Sequence, residues 1–316
     1  MAGGNDPARE KITGPDVSPQ RLAEINRLLV GAIDLHCHSG PAAMPRILNH
    51  YEAMMECKEA GFQALVYKDH FYLGTPHAIL LETLFPDTGV KLYSGIALNN
   101  VSGGINPHAV NHAINIGAKI VWMPTLSAAN HLKLVAGTNF PATAKKMLPA
   151  EPLSALDANG KVTDEAKQVC DLIAEGDIIL ASGHLPVEEL HLLYPEAKKR
   201  GVKKMMINHP NYVIGCSDED MRQLARNDVF MEFTIQQFVE RKDGQAPKHD
   251  MNELKHYISL GGVDRSIISS DHGMTGGPLL IDGWQRIMQL MIDNQWTTAD
   301  IKKLTSGNAT KMLNLD

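Results

Sequence analysis

Apolar residues along this chain alternate between two patterns. Short, largely apolar runs are followed by longer stretches in which apolar positions recur with helical spacing. The short runs read as strands: AIDLHCH (32–38), FQALVYKDH (62–70), VKLYSGIALN (90–99), AKIVWMPT (118–125), DIILASGH (177–184), KKMMINHP (203–210), VFMEFTI (229–235) and RSIISSDHG (265–273). Helices are predicted over 18–31, 47–61, 106–117, 163–176, 186–201, 217–228 and 250–262, and further helical segments finish the chain. Their ends carry physical signals. Ser18 stands as N-cap before Pro19 at the first helical position, and Gly31 closes that helix. Ser217 and Asp220 form a capping-box start, although Asp is weaker there than Glu.

Eight strands, each followed by a helix, predict a single-domain (β/α)8 TIM barrel over 18–316. Strands apolar on both faces suit a parallel sheet covered by helices. An open doubly wound sheet is the alternative. If it bound a nucleotide it would need a Gly-rich first turn, and G-x-G-x-x-G is absent after the first strand. Residues 1–17 read as a polar tail. The segment from Pro124 to about Val162 is longer than any other connection, some 39 residues rich in Pro, Ala, Gly and Asn. It follows the fourth strand, so it falls on the face where barrels do their chemistry and reads as a lid or pocket wall; a subunit contact is the alternative. Within it, LDANGKVT suggests a small hairpin.

Composition narrows the function classes. The chain has 316 residues and a net charge of −6, which argues against general nucleic-acid binding. No apolar run approaches the roughly 18–20 residues that span a membrane. The N-terminus lacks the apolar core of a secretory signal. Four widely spaced cysteines without a C-x-x-C pair suit a reducing cytoplasm. A small-molecule substrate is expected, with no nucleic-acid or membrane partner; homo-oligomer formation stays open.

The 14 histidines change the picture more than bulk composition does. His36 and His38 end the first predicted strand, His70 the second, His184 the fifth, His209 the sixth, and Asp271 with His272 the eighth. A barrel brings all C-terminal strand ends to one mouth. Imidazole and carboxylate together suit zinc, manganese or iron. Strict strand alternation puts Asp34, His36 and His38 on the inward face and Ile33, Leu35 and Cys37 on the outward one. That parity removes Cys37 as a nucleophile. Lys68 shares its strand face with His70. It would either be carboxylated and bridge two ions or bind an anionic substrate; a rim lysine reaching out to solvent is the plain alternative.

DLHCH, SGH, NHP and SSDHG at these strand ends, with LTSGNATKMLNL at 304–315, resemble the amidohydrolase superfamily of metal-dependent hydrolases. The resemblance covers about residues 30–315 and implies a barrel with one or two divalent ions, zinc first and manganese or iron also suited. It implies that His36 and His38 bind the first metal and that His184 and His209 bind a second, or that His209 positions substrate. Asp271 would ligate metal and act as base toward the attacking water. In the best-known two-metal members the bridging lysine comes from the fourth strand, where KIVWMPT has none; Lys68 would have to substitute. Polymerase-and-histidinol-phosphatase domains are a weaker resemblance through YKDH and SSDHG, but Ala97 stands where their glutamate ligand is expected.

The expected reaction is hydrolysis of a small amide, lactam, ester or lactone by metal-activated water. Decarboxylation on the same barrel, a phosphoesterase and a non-catalytic metal-binding barrel are the alternatives. His70, His272 and Arg46 are the candidates for substrate contact, with Asn99, Asn100, Trp122 and His131 as further pocket residues. Arg46 would clamp a carboxylate; an arginine at a helix start, facing water, is its plain alternative.

Overall fold

Residues 17–242 and 244–315 are described in a computed structural model of the chain. In chain order the elements are α1 (Pro19–Leu29), β1 (Ile33–Cys37), α2 (His50–Ala60), β2 (Ala64–Tyr67), α3 (Thr75–Leu84), β3 (Lys91–Ala97), α4 (Pro107–Asn115) and β4 (Ile120–Trp122). Next come α5 (Ala129–Leu134), α6 (Asp164–Gly176), β5 (Ile179–Ala181), α7 (Val187–Lys199), β6 (Met205–Asn208), α8 (Asp218–Arg226) and β7 (Val229–Thr234). The remainder are α9 (Met251–Gly261), β8 (Ser266–Ser269), α10 (Leu280–Asp293), α11 (Thr298–Lys302) and α12 (Asn308–Leu313).

The expected caps form. The Ser18 side chain accepts from Arg21 N with Pro19 at the first turn, and Ser217 and Asp220 cap each other reciprocally. Asn49 with Glu52 and Asp250 with Glu253 make two further capping boxes that start α2 and α9. α3, which the apolar pattern does not mark, fills the connection after β2. Residues 1–16 of the expected polar tail lie outside the described residues, and Val17 packs against the core.

Among the described residues eight strands pair in parallel in the order β1 to β8. The ring closes at the strand ends, where His38 N donates to His272 O (2.8 Å) and Asp271 N donates to His36 O (2.7 Å). This is the expected (β/α)8 barrel. Two apolar clusters fill it. The larger lies between the strands' outer faces and the helices, and the smaller fills the barrel interior. The interior cluster runs through Ile33, Leu35, Ala64, Val66, Trp122, Met206, Phe230 and Ile267 and takes in Met312 and Leu313 of α12, which plug its lower end.

One expectation for β1 is overturned. Asp34 does not share a face with His36 and His38. Ile33 and Leu35 belong to the barrel interior, while Asp34 and Cys37 face outward. The register of β1 against β2 shifts between Asp34 and Cys37, and this bulge reverses the alternation midway along the strand. The Asp34 carboxylate then stitches the seam between β1 and β8. It accepts from His36 N (2.9 Å), Ser270 N (3.0 Å) and Trp284 Nε1 (3.1 Å). The parity argument for Cys37 survives, because the bulge lies before the His36–Cys37–His38 step.

The long connection after β4 forms α5, a parallel bridge between Ala128 and Leu153, and the expected small hairpin, with an antiparallel bridge between Leu156 and Val162. Ala144 N donates to Ala43 O (3.2 Å), so this segment reaches across to the loop after β1. Among the described residues no helix is long and apolar enough to cross a membrane.

Candidate metal centre

The bulge in β1 aims two imidazoles at one carboxylate. His36 Nε2 and His38 Nε2 each lie 3.2 Å from Asp271 Oδ1. All three residues are buried, and one ligand atom from each falls within 4.8 Å of the others. Asp271 reaches this position from a left-handed backbone, φ 52°, which a residue other than glycine seldom adopts. Gly273 comes two residues later at φ 126°, and a Cβ there would overlap the His38 carbonyl oxygen, so only glycine lets the β8 loop approach β1 this closely.

The other ring nitrogens are committed. His36 Nδ1 lies 3.0 Å from Glu232 Oε2, and His38 Nδ1 lies 2.9 Å from the Lys68 carbonyl oxygen. These oxygens accept, so each Nδ1 carries a proton; the neutral His38 ring keeps a lone pair on Nε2, and an ion taking the place of the Nε2 proton would free that of His36. Metal-ligating histidines are oriented in this way. The donor set fits a divalent ion on chemistry as well as position.

More imidazoles surround the three. Ring centroids run from His36 to His38 (5.2 Å), to His70 (4.8 Å), to His184 (6.1 Å), to His209 (5.1 Å) and back to His36 (6.0 Å). Five histidines from four strand ends thus close a circuit around one chamber. His131 of α5 joins it from outside, with its Nδ1 2.9 Å from His184 Nδ1. The connection after β4 thus brings α5 against this chamber.

Charge in the chamber is unevenly compensated. Burial pulls His38 and His209 down to about 3 and His131 to about 4, and it holds His70 and His184 well below the usual range; all five rings are neutral. Burial opposes ionisation of Asp271 and Glu232, yet His36 beside both outweighs it, so both stay ionised. Burial and Lys68 work against a proton on His36, and the two carboxylates outweigh them and raise it to about 9. Lys68 is pulled down to about 8, chiefly by burial. Two buried carboxylates thus call for positive charge at this spot, which His36 and Lys68 supply and which a divalent ion would match.

Lys68 is 1% exposed, with its Nζ 3.0 Å from His36 Nε2 and 5.4 Å from the Trp122 ring centre. A rim lysine reaching solvent is excluded. Arg46 lies on the loop before α2, bridged to Met274, with its Nη2 3.4 Å from His38 Nδ1, so it is not an arginine of a helix start. His70 faces the chamber, its Nδ1 2.9 Å from Thr125 Oγ1.

His272 is not brought to the site. Its ring lies against α10, where a Cβ on Gly283 would overlap it. Asn99 is consumed as a brace: its side chain donates to His70 O and Thr125 Oγ1 and accepts from Thr125 N and Ser127 N. Asn100 sits further out, accepting from Glu151 N. Trp122 is sealed inside the barrel beneath Lys68. Ala97 lies in the interior apolar cluster, so β3 brings no carboxylate to the chamber.

Three participants escaped the sequence reading. Glu232 of β7 accepts from His36 and from Asn208 Nδ2 (2.6 Å), and the Gln236 amide donates to Asp271 Oδ2. A signal for Glu232 existed: it is the one charged residue in the apolar run VFMEFTI.

No curated protein sequence matches the chain. Among solved structures, the probable dipeptidase PvdM from Pseudomonas aeruginosa is 12% identical with a TM-score of 0.63, covering 94% of this chain and 98% of that one. An amidohydrolase from the same organism is 12% identical with a TM-score of 0.59, covering 93% and 98%. A 2,6-dihydroxybenzoate decarboxylase in complex with 2,6-dihydroxybenzoate is 9% identical with a TM-score of 0.53, covering 90% and 99%. These likenesses show a shared barrel, the one implied by the amidohydrolase resemblance of the strand-end histidines. A family model matches residues 31–232, from the start of β1 to the Glu232 that orients His36, and by this match the chain belongs to the family of unknown function DUF6282.

Proposed function

We propose that this protein is a metal-dependent hydrolase acting on a small amide, lactam, ester or lactone. The observation that carries the reading is the convergence of His36 Nε2, His38 Nε2 and Asp271 Oδ1 with both Nδ1 atoms already committed. His36, His38 and Asp271 would hold the first ion. Zinc is the first choice for this donor set, with manganese or iron also suited. His184 and His209 would hold a second ion, with Lys68 carboxylated as the bridge. A divalent ion acidifies bound water and polarises a carbonyl oxygen.

The chain's own groups supply the rest. Asp271, with one oxygen held by Gln236, takes the proton of the attacking water and passes it to the leaving group. Glu232 and the Lys68 carbonyl hold the two imidazoles in one tautomer. The neutral ring of His70, its Nδ1 held by Thr125, offers its other nitrogen to substrate without adding charge. The unpaired Cys37, Cys57, Cys170 and Cys216 support a reducing, cytoplasmic setting.

The test is metal content by plasma mass spectrometry, and then a panel of amides, lactams, esters and lactones on the metal-loaded protein. Asp271→Asn should lower turnover by about 10²–10⁴; full hydrolysis by this variant sinks the reading. Release of carbon dioxide in place of amine or alcohol would move the assignment to decarboxylation, the activity named for one of the structural neighbours.

A further inference from the structure

Arg46 keeps one edge of its guanidinium unused beside His38. Its Nε is buried and has no hydrogen-bond partner among the described residues. Its Nη2 lies 3.4 Å from His38 Nδ1, but that nitrogen carries a proton committed to the Lys68 carbonyl oxygen at 2.9 Å and has no lone pair to give. Nε and Nη2 are the two donors of one edge of the guanidinium, parallel and spaced for two oxygens of one planar group. Asp69 is the foremost carboxylate acting on Arg46, yet its buried Oδ2 has no hydrogen-bond partner either. Burying such a fork without an acceptor is costly. The backbone holds it there, because Arg46 bridges Met274 in the loop after Asp271.

We infer that Arg46 is a substrate-binding residue and that the substrate class is a small molecule bearing a carboxylate, gripped by the Nε–Nη2 edge beside His38. The inference rests on the proposed site and names its substrate class. The carboxylate would lie next to the His36–His38–Asp271 cluster, so the reacting bond is separated from it by a short spacer. Substrates of this kind include N-acyl amino acids and lactones or lactams with a carboxyl substituent.

The experiment uses full-length protein stripped of metal with a chelator, with metal uptake measured separately on the same preparation. Acetate and its neutral counterpart acetamide are titrated in while the Arg46 Nε–H resonance, identified by its absence in Arg46→Lys, is followed by NMR. A saturable shift with acetate and none with acetamide is expected. Arg46→Met should weaken acetate binding by about tenfold or more, as should Arg46→Lys, which keeps the charge but lacks the fork. Equal response to acetamide, no saturable response to acetate, or acetate affinity unchanged in both variants overturns the inference; the last two outcomes would leave Arg46 paired with Asp69. Inorganic phosphate, with Arg46-dependent binding tighter than that of acetate, overturns the carboxylate assignment. Acetate binding without metal uptake would sink the hydrolase reading alone, and metal uptake without acetate binding would sink this one alone.

Discussion

At its lower end the barrel interior holds Ile33, Ala64, Val66, Met206, Phe230 and Ile267, closed off by Met312 and Leu313 of α12. Two residues further along the same inward columns stand Lys68 after Val66, Asn208 after Met206, Glu232 after Phe230 and Ser269 after Ile267. Both ends are almost sealed from water. The difference is what the buried side chains need. The lower end needs only shape and apolar area, whereas the upper end buries ionisable groups that must be paired, oriented or matched by a cation. One strand thus does two jobs, and the step between them is a single period of its alternation.

Mutations at the two ends should separate these jobs. The largest effect is expected from Asp271→Asn, which lowers turnover by about 10²–10⁴ and leaves the thermal unfolding curve near that of the wild type. Leu313→Ala at the lower end should do the reverse: it costs about 2–5 kcal/mol of stability in denaturant titrations, with metal content per folded protein unchanged. Glu232→Gln keeps the shape of the side chain but removes the charge that orients His36. A drop of about 10–100-fold in metal affinity is expected from competition with a chelator. The smallest effect belongs to the helical shell. Arg222 makes half-exposed ion pairs with Asp218 at 3.8 Å and Glu219 at 3.6 Å, and Arg222→Ala should shift stability by about 0.5 kcal/mol or less. A larger loss there would show that the contrast between barrel ends is not where the energy lies.

The strands, caps and histidine columns were legible because each rests on local rules: alternation, helical spacing and side-chain capping. His36 and His38 stood out by their spacing. Ser18 and Ser217 stood out because Pro19 and Asp220 lie just beyond them. The features that could not be read depend on contacts far apart in sequence. Asp34 was placed on the wrong face because a bulge, set by the pairing of β1 with its neighbours, reverses the alternation. His272 was counted with Asp271 because both end the β8 run, and only its packing against Gly283 of α10 shows that it leaves the chamber. Glu232 hid among apolar residues, and its role needs the ring of His36, 196 positions away. His131 was named as a pocket residue, but its pairing with His184, 53 positions away, was not legible.

The seam between β1 and β8 ties function to unfolding. The hydrogen bonds that close it, His38 N to His272 O and Asp271 N to His36 O, engage the backbones of all three residues whose side chains form the cluster. Separating those side chains therefore means parting the backbone of the barrel. The amide protons of His38 and Asp271 should exchange with solvent only as fast as the whole domain opens. Heat would then abolish activity and structure in one transition, with no folded but inactive species between them.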